Sequence, residues 1–412
     1  MTNRAGWWDS SEPRTHGEKM NTANRASAKK ALRLIVAFGI VSLFGDIVYE
    51  GARSISGPFL ASLAATAGII GLVTGLGEFL GYGLRYLSGL YADRSRAYWP
   101  LTLLGYGLVL AIPLLAVAPT WQVAAFLLII ERIGKAVRTP ARDTILSYAT
   151  RQVGRGVGFG LHEALDQIGA VVGPLVFTVV LALRENAYRT GFAILAVPAA
   201  LLVLALAATR ARFGAVDQFE PQTRRTQGES LTGSYAAYAV FAFVSLCGFA
   251  GFPLIAFHLT DSHVLLPRVI PLLYILAMAV DGFSAIAVGM LYDRVGLVSL
   301  VAVPLVSLAL APMAFSGSPA LAVAGVALWG IGMAVQETIM RAAIADLTPV
   351  ARRATAYGLF NTIYGAAWFV AGVSIGMLYE HARGFLIPYV FATQAVSLLL
   401  FVAFVLRRTP AK

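Results

Sequence analysis

The chain is poor in cysteine, in histidine and in charge. Its one cysteine, Cys247, sits in an apolar run, which excludes an internal disulfide and a cysteine metal cage. The five histidines, at positions 16, 162, 258, 263 and 381, are scattered and form no HExxH pair, so no metal centre is expected. Charged residues make up 13% of the 412 positions, about half the roughly 25% of soluble domains. Hydrophobic residues make up 58%, and no long polar stretch exists to cover so much apolar surface. A bilayer can absorb it. No phosphate-binding loop occurs, because Gly134-Lys135 lacks both the preceding glycine and the following hydroxyl residue, and this argues against an ATP-driven pump. No nucleophile, base and orienting group stand at a recognisable spacing, so neither enzyme activity nor a cofactor is expected.

The formal net charge of +11 does not indicate nucleic acid, because the basic residues lie between hydrophobic runs like topology signals on a membrane. A window of about 20 apolar residues gives twelve spans, and hence an all-α polytopic membrane fold. They run over 32–60, 66–91, 98–118, 121–148, 157–183, 189–210, 234–259, 266–291, 298–316, 319–345, 354–379 and 384–406. The connections alternate in charge. Lys29, Lys30, Arg33, Arg94, Arg96, Arg151, Arg155, Arg210, Arg212, Arg224, Arg225, Arg294, Arg352, Arg353, Arg407, Arg408 and Lys412 share one side. Arg184, Arg189, Arg268 and Arg383 share the other. The positive-inside rule places both termini in the cytoplasm, and an even span count agrees. Residues 1–31 read as a disordered cytoplasmic tail with no secretory leader. Residues 211–233, the longest internal polar stretch, read as a cytoplasmic linker between six-span bundles at 32–210 and 234–408.

The bundles look like copies of each other. Gly89-Leu90-Tyr91-Ala92-Asp93-Arg94 recurs as Gly289-Met290-Leu291-Tyr292-Asp293-Arg294, an offset of 200, and 134–160 aligns without gaps to 332–358, an offset of 198. A weaker match sets Val41–Gly45 against Val244–Gly248. Parallel repeats with a site between them near the midplane suit an alternating-access carrier.

The doubled Gly-x-x-x-Asp-Arg after the second and eighth spans resembles the signature of the major facilitator superfamily, and the likeness extends over residues 32–408. It implies a transporter with a small-molecule substrate. It also implies that Asp93 and Arg94, with Asp293 and Arg294 as second copy, latch cytoplasmic helix ends in the outward-open state. Gly89 and Gly289 would let helices approach closely there.

Intramembrane charges are costly and read as functional. Asp46, Glu50 and Arg53 share one face of the first span. Glu78 and Arg85 lie in the second. Glu131, Lys135, Arg138 and Arg142 stripe the fourth, with Arg132 and Asp143 beside them. Glu163 and Asp166 lie in the fifth, with His162 alongside. The C-terminal half offers only Asp281, Glu337 and Arg341. Seven acids against six bases in the N-terminal half favour a paired network over a bare anion trap. Re-pairing a carboxylate between two states changes its proton affinity. Asp46, Glu50, Glu131 and Glu163 are therefore the expected proton-coupling groups, supported by Arg53, Arg132, Lys135 and Asp166. Helix locking by the same residues is the alternative.

In the fifth span Gly169-Ala170-Val171-Val172-Gly173-Pro174 resembles the core of the family's antiporter signature, although Leu175-Val176-Phe177 stands where paired glycines often follow. A kink without exporter meaning is the competing reading. By the resemblance, spans 1, 4, 7 and 10 line the cavity, with Phe249, Phe252, His258, Trp329, Gln336 and Glu337 as candidates from the C-terminal half. The expectation is a monomeric inner-membrane carrier coupled to protons and exporting small amphipathic compounds. A metabolite symporter and a non-transporting sensor remain as alternatives, the sensor lacking an output domain.

Overall fold

The computed structural model describes residues 15–153, 155–214, 233–348 and 353–406; the side chains at 15–27, 147–148, 150–152, 155–160, 163, 345, 353–354 and 404–406 lie outside that description. Regular structure among the described residues is helical throughout. The helices are α1 (Thr15–Ser62), α2 (Ala67–Ser95), α3 (Tyr98–Gly107), α4 (Trp121–Val153), α5 (Arg155–Leu183), α6 (Tyr188–Ile194), α7 (Ala196–Phe213), α8 (Gly233–Cys247), α9 (Phe252–Asp261), α10 (Ile270–Val295), α11 (Ala302–Ala314), α12 (Pro319–Leu347), α13 (Arg353–His381) and α14 (Leu386–Leu406).

These make the twelve rods expected, with some interrupted. The third rod ends in two 3-10 stretches, Leu108–Ala111 and Pro113–Val117. The sixth is α6 and α7, parted at Leu195, because Pro198 has no N–H to give the carbonyl of Ile194. The seventh is α8 and α9, parted between Gly248 and Gly251. There the Trp329 indole N–H donates to the Ala250 carbonyl at 3.0 Å, satisfying one acceptor that the break leaves outside a helix. Ten stretches are long and apolar enough to cross a membrane by composition alone. The difference from twelve has two causes. Pro267–Ala314 counts as one stretch because 3-10 turns join its rods. The fourth rod fails because Glu131, Arg132, Lys135 and Arg138 crowd it.

One boundary differs from expectation. Residues 15–31, placed in the tail, are helical and continuous with the first rod. Ala23, Ala26, Ala28 and Ala31 favour helix, and no proline intervenes between Pro13 and Pro58. Residues 1–14 and the linker's 215–232 lie outside the described residues.

Within each half the packing follows the repeat. Helices α1 and α5 pack closely, as do α2 with α4 and α3 with α4; in the second half α10 packs on α12 and α11 on α12. A Cβ at Gly89 would meet Pro140 at 3.6 Å, and one at Gly289 would meet Thr338 at 3.6 Å, so pseudo-equivalent glycines touch pseudo-equivalent positions. That distance is ordinary contact, and the expected close approach at these two glycines is not needed in this conformation.

Close approach occurs elsewhere. Gly169 and Gly173 of α5 lie against the α1 backbone: a Cβ at Gly169 would come 2.6 Å from the Leu43 carbonyl, and one at Gly173 2.7 Å from the Gly51 nitrogen. The halves meet through α2 on α13, α5 on α10 and α1 on α9. Along α2 and α13, Gly71 lies against Gly372. A Cβ at Gly376 would come 2.7 Å from the Ala67 carbonyl. Small residues at this spacing let backbones touch. At the end of the bundle opposite the termini, Gly57 abuts Pro253, and the Glu380 carboxylate accepts from the Gly68 N–H at 2.8 Å. That bond caps the first turn of α2 from the other half. At the terminal end Asp93, Arg94, Asp293 and Arg294 are all exposed, and no ion pair joins them among the described residues.

Candidate transport site between the halves

The α1 face predicted from spacing also carries Tyr49, and it turns toward α2 and α4. Arg53 Nη2 lies 3.3 Å from Glu78 Oε1, and Arg132 Nη1 lies 3.3 Å from the same oxygen. Both guanidiniums also donate to the Tyr49 hydroxyl, Arg53 at 3.3 Å and Arg132 more closely. The Lys135 ammonium sits 3.7 Å from the centroid of the Tyr49 ring, a cation–π contact. Three cations thus surround one phenol, and one carboxylate bridges two of them.

Glu131 is 2% exposed. Its oxygens lie 3.8 Å from Arg132 Nε and 3.9 Å from Arg138 Nη1, too far for hydrogen bonds. Its Oε1 has no hydrogen-bond partner among the described residues. Glu50 reaches the other half, where its Oε2 accepts from the Tyr274 hydroxyl of α10 at 2.5 Å. The charged neighbours of Asp46 are Asp166, Lys135, Glu50 and Arg138, and its Cβ borders Gly169.

A second cluster lies toward the terminal end. Ser42 bonds Tyr106 at 3.0 Å, accepts from Arg142 at 3.1 Å and lies 3.4 Å from His162 Nε2. Arg142 pairs with Asp143 at 2.8 Å, and His162 lies 3.6 Å from Asp166. The side chain of Glu163 lies outside the described residues.

A cavity opens between the halves beside the first cluster. From the N-terminal half Tyr49, Arg53, Glu78, Glu131 and Arg132 line it; from the other half come Gly251, Pro253, Leu254, Trp368 and Gly372. Its free volume of about 40 Å³ holds about three waters, less than a solute. A substrate requires the halves to move apart around it.

Of the predicted groups, the structure brings Arg53, Glu131 and Arg132 to the cavity, with Lys135 behind Tyr49. Glu50 ties the halves together beside it. Phe249, Phe252, Trp329, Gln336 and Glu337 do not line it. Phe252 packs edge-on to Tyr274 at 4.8 Å and to Trp329 at 5.6 Å, and Phe249 packs on Trp368 at 5.7 Å. Gln336 accepts from the Tyr364 hydroxyl at 2.8 Å. The rings fill the space behind the break in the seventh rod, and the small residues of that break face the cavity instead. His258 is held at the far end by Tyr379 at 2.9 Å and Arg383 at 2.8 Å. Sequence reasoning did not single out Tyr49, Tyr274, Trp368 or Glu380, and it counted Glu78 in the network without giving it a role. Tyr49 stood within the α1 stripe and was legible there. The others depend on which helices meet. Among the described residues no cluster of histidine, cysteine and carboxylate is arranged to hold a metal.

Twelve helical rods in two repeated halves, with a buried charged site between them, define a secondary transporter of the rocking, alternating-access class. The family model described as Major Facilitator Superfamily matches residues 237–412. An uncharacterised protein of Mycobacterium tuberculosis is 40% identical over 390 residues, covering 92% of this chain and 95% of that protein. An uncharacterised MFS-type transporter of Methanocaldococcus jannaschii is 25% identical over 393 residues, covering 92% and 97%. Among solved structures, the nucleoside transporter NupG superposes with a TM-score of 0.71 at 15% identity, covering 92% of this chain and all of that one. A bacterial homologue of the human lysosomal transporter Spinster, in an inward-facing and unoccupied conformation, superposes at 0.66 with 13% identity, covering 92% and 95%. The chain belongs to the major facilitator superfamily. It is a multi-pass membrane transporter and not an enzyme.

Proposed function

We propose that the chain is a proton-coupled carrier of small amphipathic solutes, working by alternating access from the inner membrane with both termini in the cytoplasm. The observation that supports this reading is Glu131, a buried carboxylate on the cavity wall whose Oε1 lacks a hydrogen bond. A carboxylate kept inside a membrane span without a hydrogen bond is a functional candidate by default. Arg132 and Arg138 share α4 with Glu131, so movement of the halves acts on Glu131 by changing what the cavity presents to it. Asp46, close to Asp166 and Lys135, is the second proton-linked group, and Glu50 links proton state to the interface through Tyr274. The contacts at the far end, together with the exposed Asp93-Arg94 and Asp293-Arg294, fit an inward-facing state. The latch expected of those four residues belongs to the opposite one.

Export by antiport rests on Gly169, Gly173 and Pro174. Their packing against α1 within one half serves an importer as well. Symport is favoured by the shared carboxylate of Glu78: a substrate that displaces it from two arginines leaves it ready for a proton. Proteoliposomes with an imposed pH gradient separate these directions. Antiport drives substrate toward the acidic side and symport toward the alkaline side. In either case Glu131→Gln combined with Asp46→Asn abolishes gradient-driven accumulation while substrate exchange persists. Accumulation that survives both Glu131→Gln and Asp46→Asn refutes the coupling assignment.

A further inference from the structure

Resting on the reading of this cavity as the transport site, we propose that the substrate is an organic anion. Its carboxylate or phosphate oxygens would take the place of Glu78 between Arg53 and Arg132, with its apolar body against α9 and α13.

Three observations carry this. Glu78 serves both guanidiniums through a single oxygen, at 3.3 Å to each. Good guanidinium–carboxylate pairs are bidentate, at about 2.7–2.9 Å. The two arginines, five donors apiece, are therefore under-satisfied by the carboxylate they hold. Their side chains are only 13% and 16% exposed, so only the few waters of the cavity can make up the deficit.

The charge around this point is the second observation. Arg53, Arg132 and Lys135 surround Tyr49, against Glu78 directly, Glu131 at 3.8 Å from Arg132 and Glu50 as a further acidic neighbour. The charged neighbours of Glu78 are four cations, Arg132, Arg53, Lys135 and Arg85, and displacing its carboxylate leaves positive charge in a site that low dielectric makes costly to leave uncompensated. A bound oxyanion compensates it.

The third observation is the opposite wall. Gly251, Pro253, Leu254, Trp368 and Gly372 supply no ionisable group, which selects for a ligand charged at one end only. The charged and titratable groups around Glu78 are Tyr49, Arg53 and Glu50 from α1, Arg132, Lys135 and Glu131 from α4, Tyr364 from α13, and Tyr82 and Arg85 from its own helix. The balance is cationic. An anion that displaces Glu78 removes its two partners, and protonation of Glu78 then favours the bound state. Anion and proton load together.

Binding in detergent tests this without requiring transport. The probes are 4-phenylbutyrate, phenyl phosphate, 4-phenylbutyramide and 4-phenylbutylamine, with thermal stabilisation as the readout. The expected result is stabilisation by one or both anions, stronger as pH falls, and none by amide or amine; the two anions distinguish carboxylate from phosphate ester. Glu78→Gln binds the anion more tightly and with a smaller pH dependence, since the competitor is gone. Arg53→Gln and Arg132→Gln, and each combined with Glu78→Gln to avoid stranding a carboxylate, weaken binding by about ten- to a hundredfold. The proposal is overturned if the amine stabilises and the anions do not, or if no anion binds even the Glu78→Gln protein. Proton-coupled flux measured separately would leave the transporter reading standing in either case.

Discussion

Replacing Gly376 by alanine should favour the conformation in which the end opposite the termini is open. A Cβ at this position would lie 2.7 Å from the Ala67 carbonyl oxygen and 3.2 Å from the Gly71 Cα. Carbon–oxygen contacts settle at about 3.3–3.6 Å, so α2 and α13 must separate by roughly 0.6–0.9 Å. The Gly68–Glu380 bond, 2.8 Å long, stretches past hydrogen-bonding reach by the same movement. Overpacking of this kind costs about 1–3 kcal/mol. The cost falls on the conformer that closes this interface and spares the one that parts it. The equilibrium between them therefore shifts about 5- to 150-fold. Cys247 is the only cysteine and is buried, so its replacement gives a clean background for a reporter. Ser56→Cys places that reporter on the cavity wall, at 4% exposure. With Gly376→Ala, its labelling by a membrane-impermeant maleimide added from the side opposite the termini should accelerate. An unchanged rate in a folded protein would show that α2 and α13 absorb a methyl group without parting, and the reasoning would fail.

Glu380→Gln weakens a charge-assisted cap on α2 and should shift the same equilibrium the same way by about 1 kcal/mol, read as faster labelling of the same reporter. Gly173→Leu forces a side chain into the α1 backbone and should collapse the yield of folded protein. Gly89→Ala, whose Cβ has 3.6 Å of room, should leave the yield intact; equal losses on size-exclusion profiles would contradict the assigned packing.

The rods were legible because apolar runs of spanning length are a strong signal, and the repeat supplied the fourth rod where hydropathy alone failed. Residues 15–31 were misread because polarity was taken for disorder, although alanine spacing sustains a helix there. The charged site was legible as stripes: Asp46, Glu50 and Arg53 share a face, and Glu131 and Lys135 share another. Their partners were not, since helix rotation decides that Glu78 bridges Arg53 and Arg132. The C-terminal wall was misplaced because aromatic side chains in apolar spans look alike whether they pack or line a site. The Gly248–Gly251 interruption turns Phe249 and Phe252 inward and leaves Gly251 and Pro253 at the cavity. Trp368, twelve residues before Glu380 on the same helix, had no sequence mark of either role.

Distances between spin labels at the two ends of the bundle test the rocking of two rigid halves most directly. One pair at positions 95 and 295 reports the terminal end, and another at 185 and 268 reports the opposite end; all four residues are exposed. Rocking around the cavity predicts opposite changes when pH or substrate shifts the equilibrium, one pair lengthening as the other shortens. Two pairs that lengthen together, or a single pair that moves alone, would contradict it.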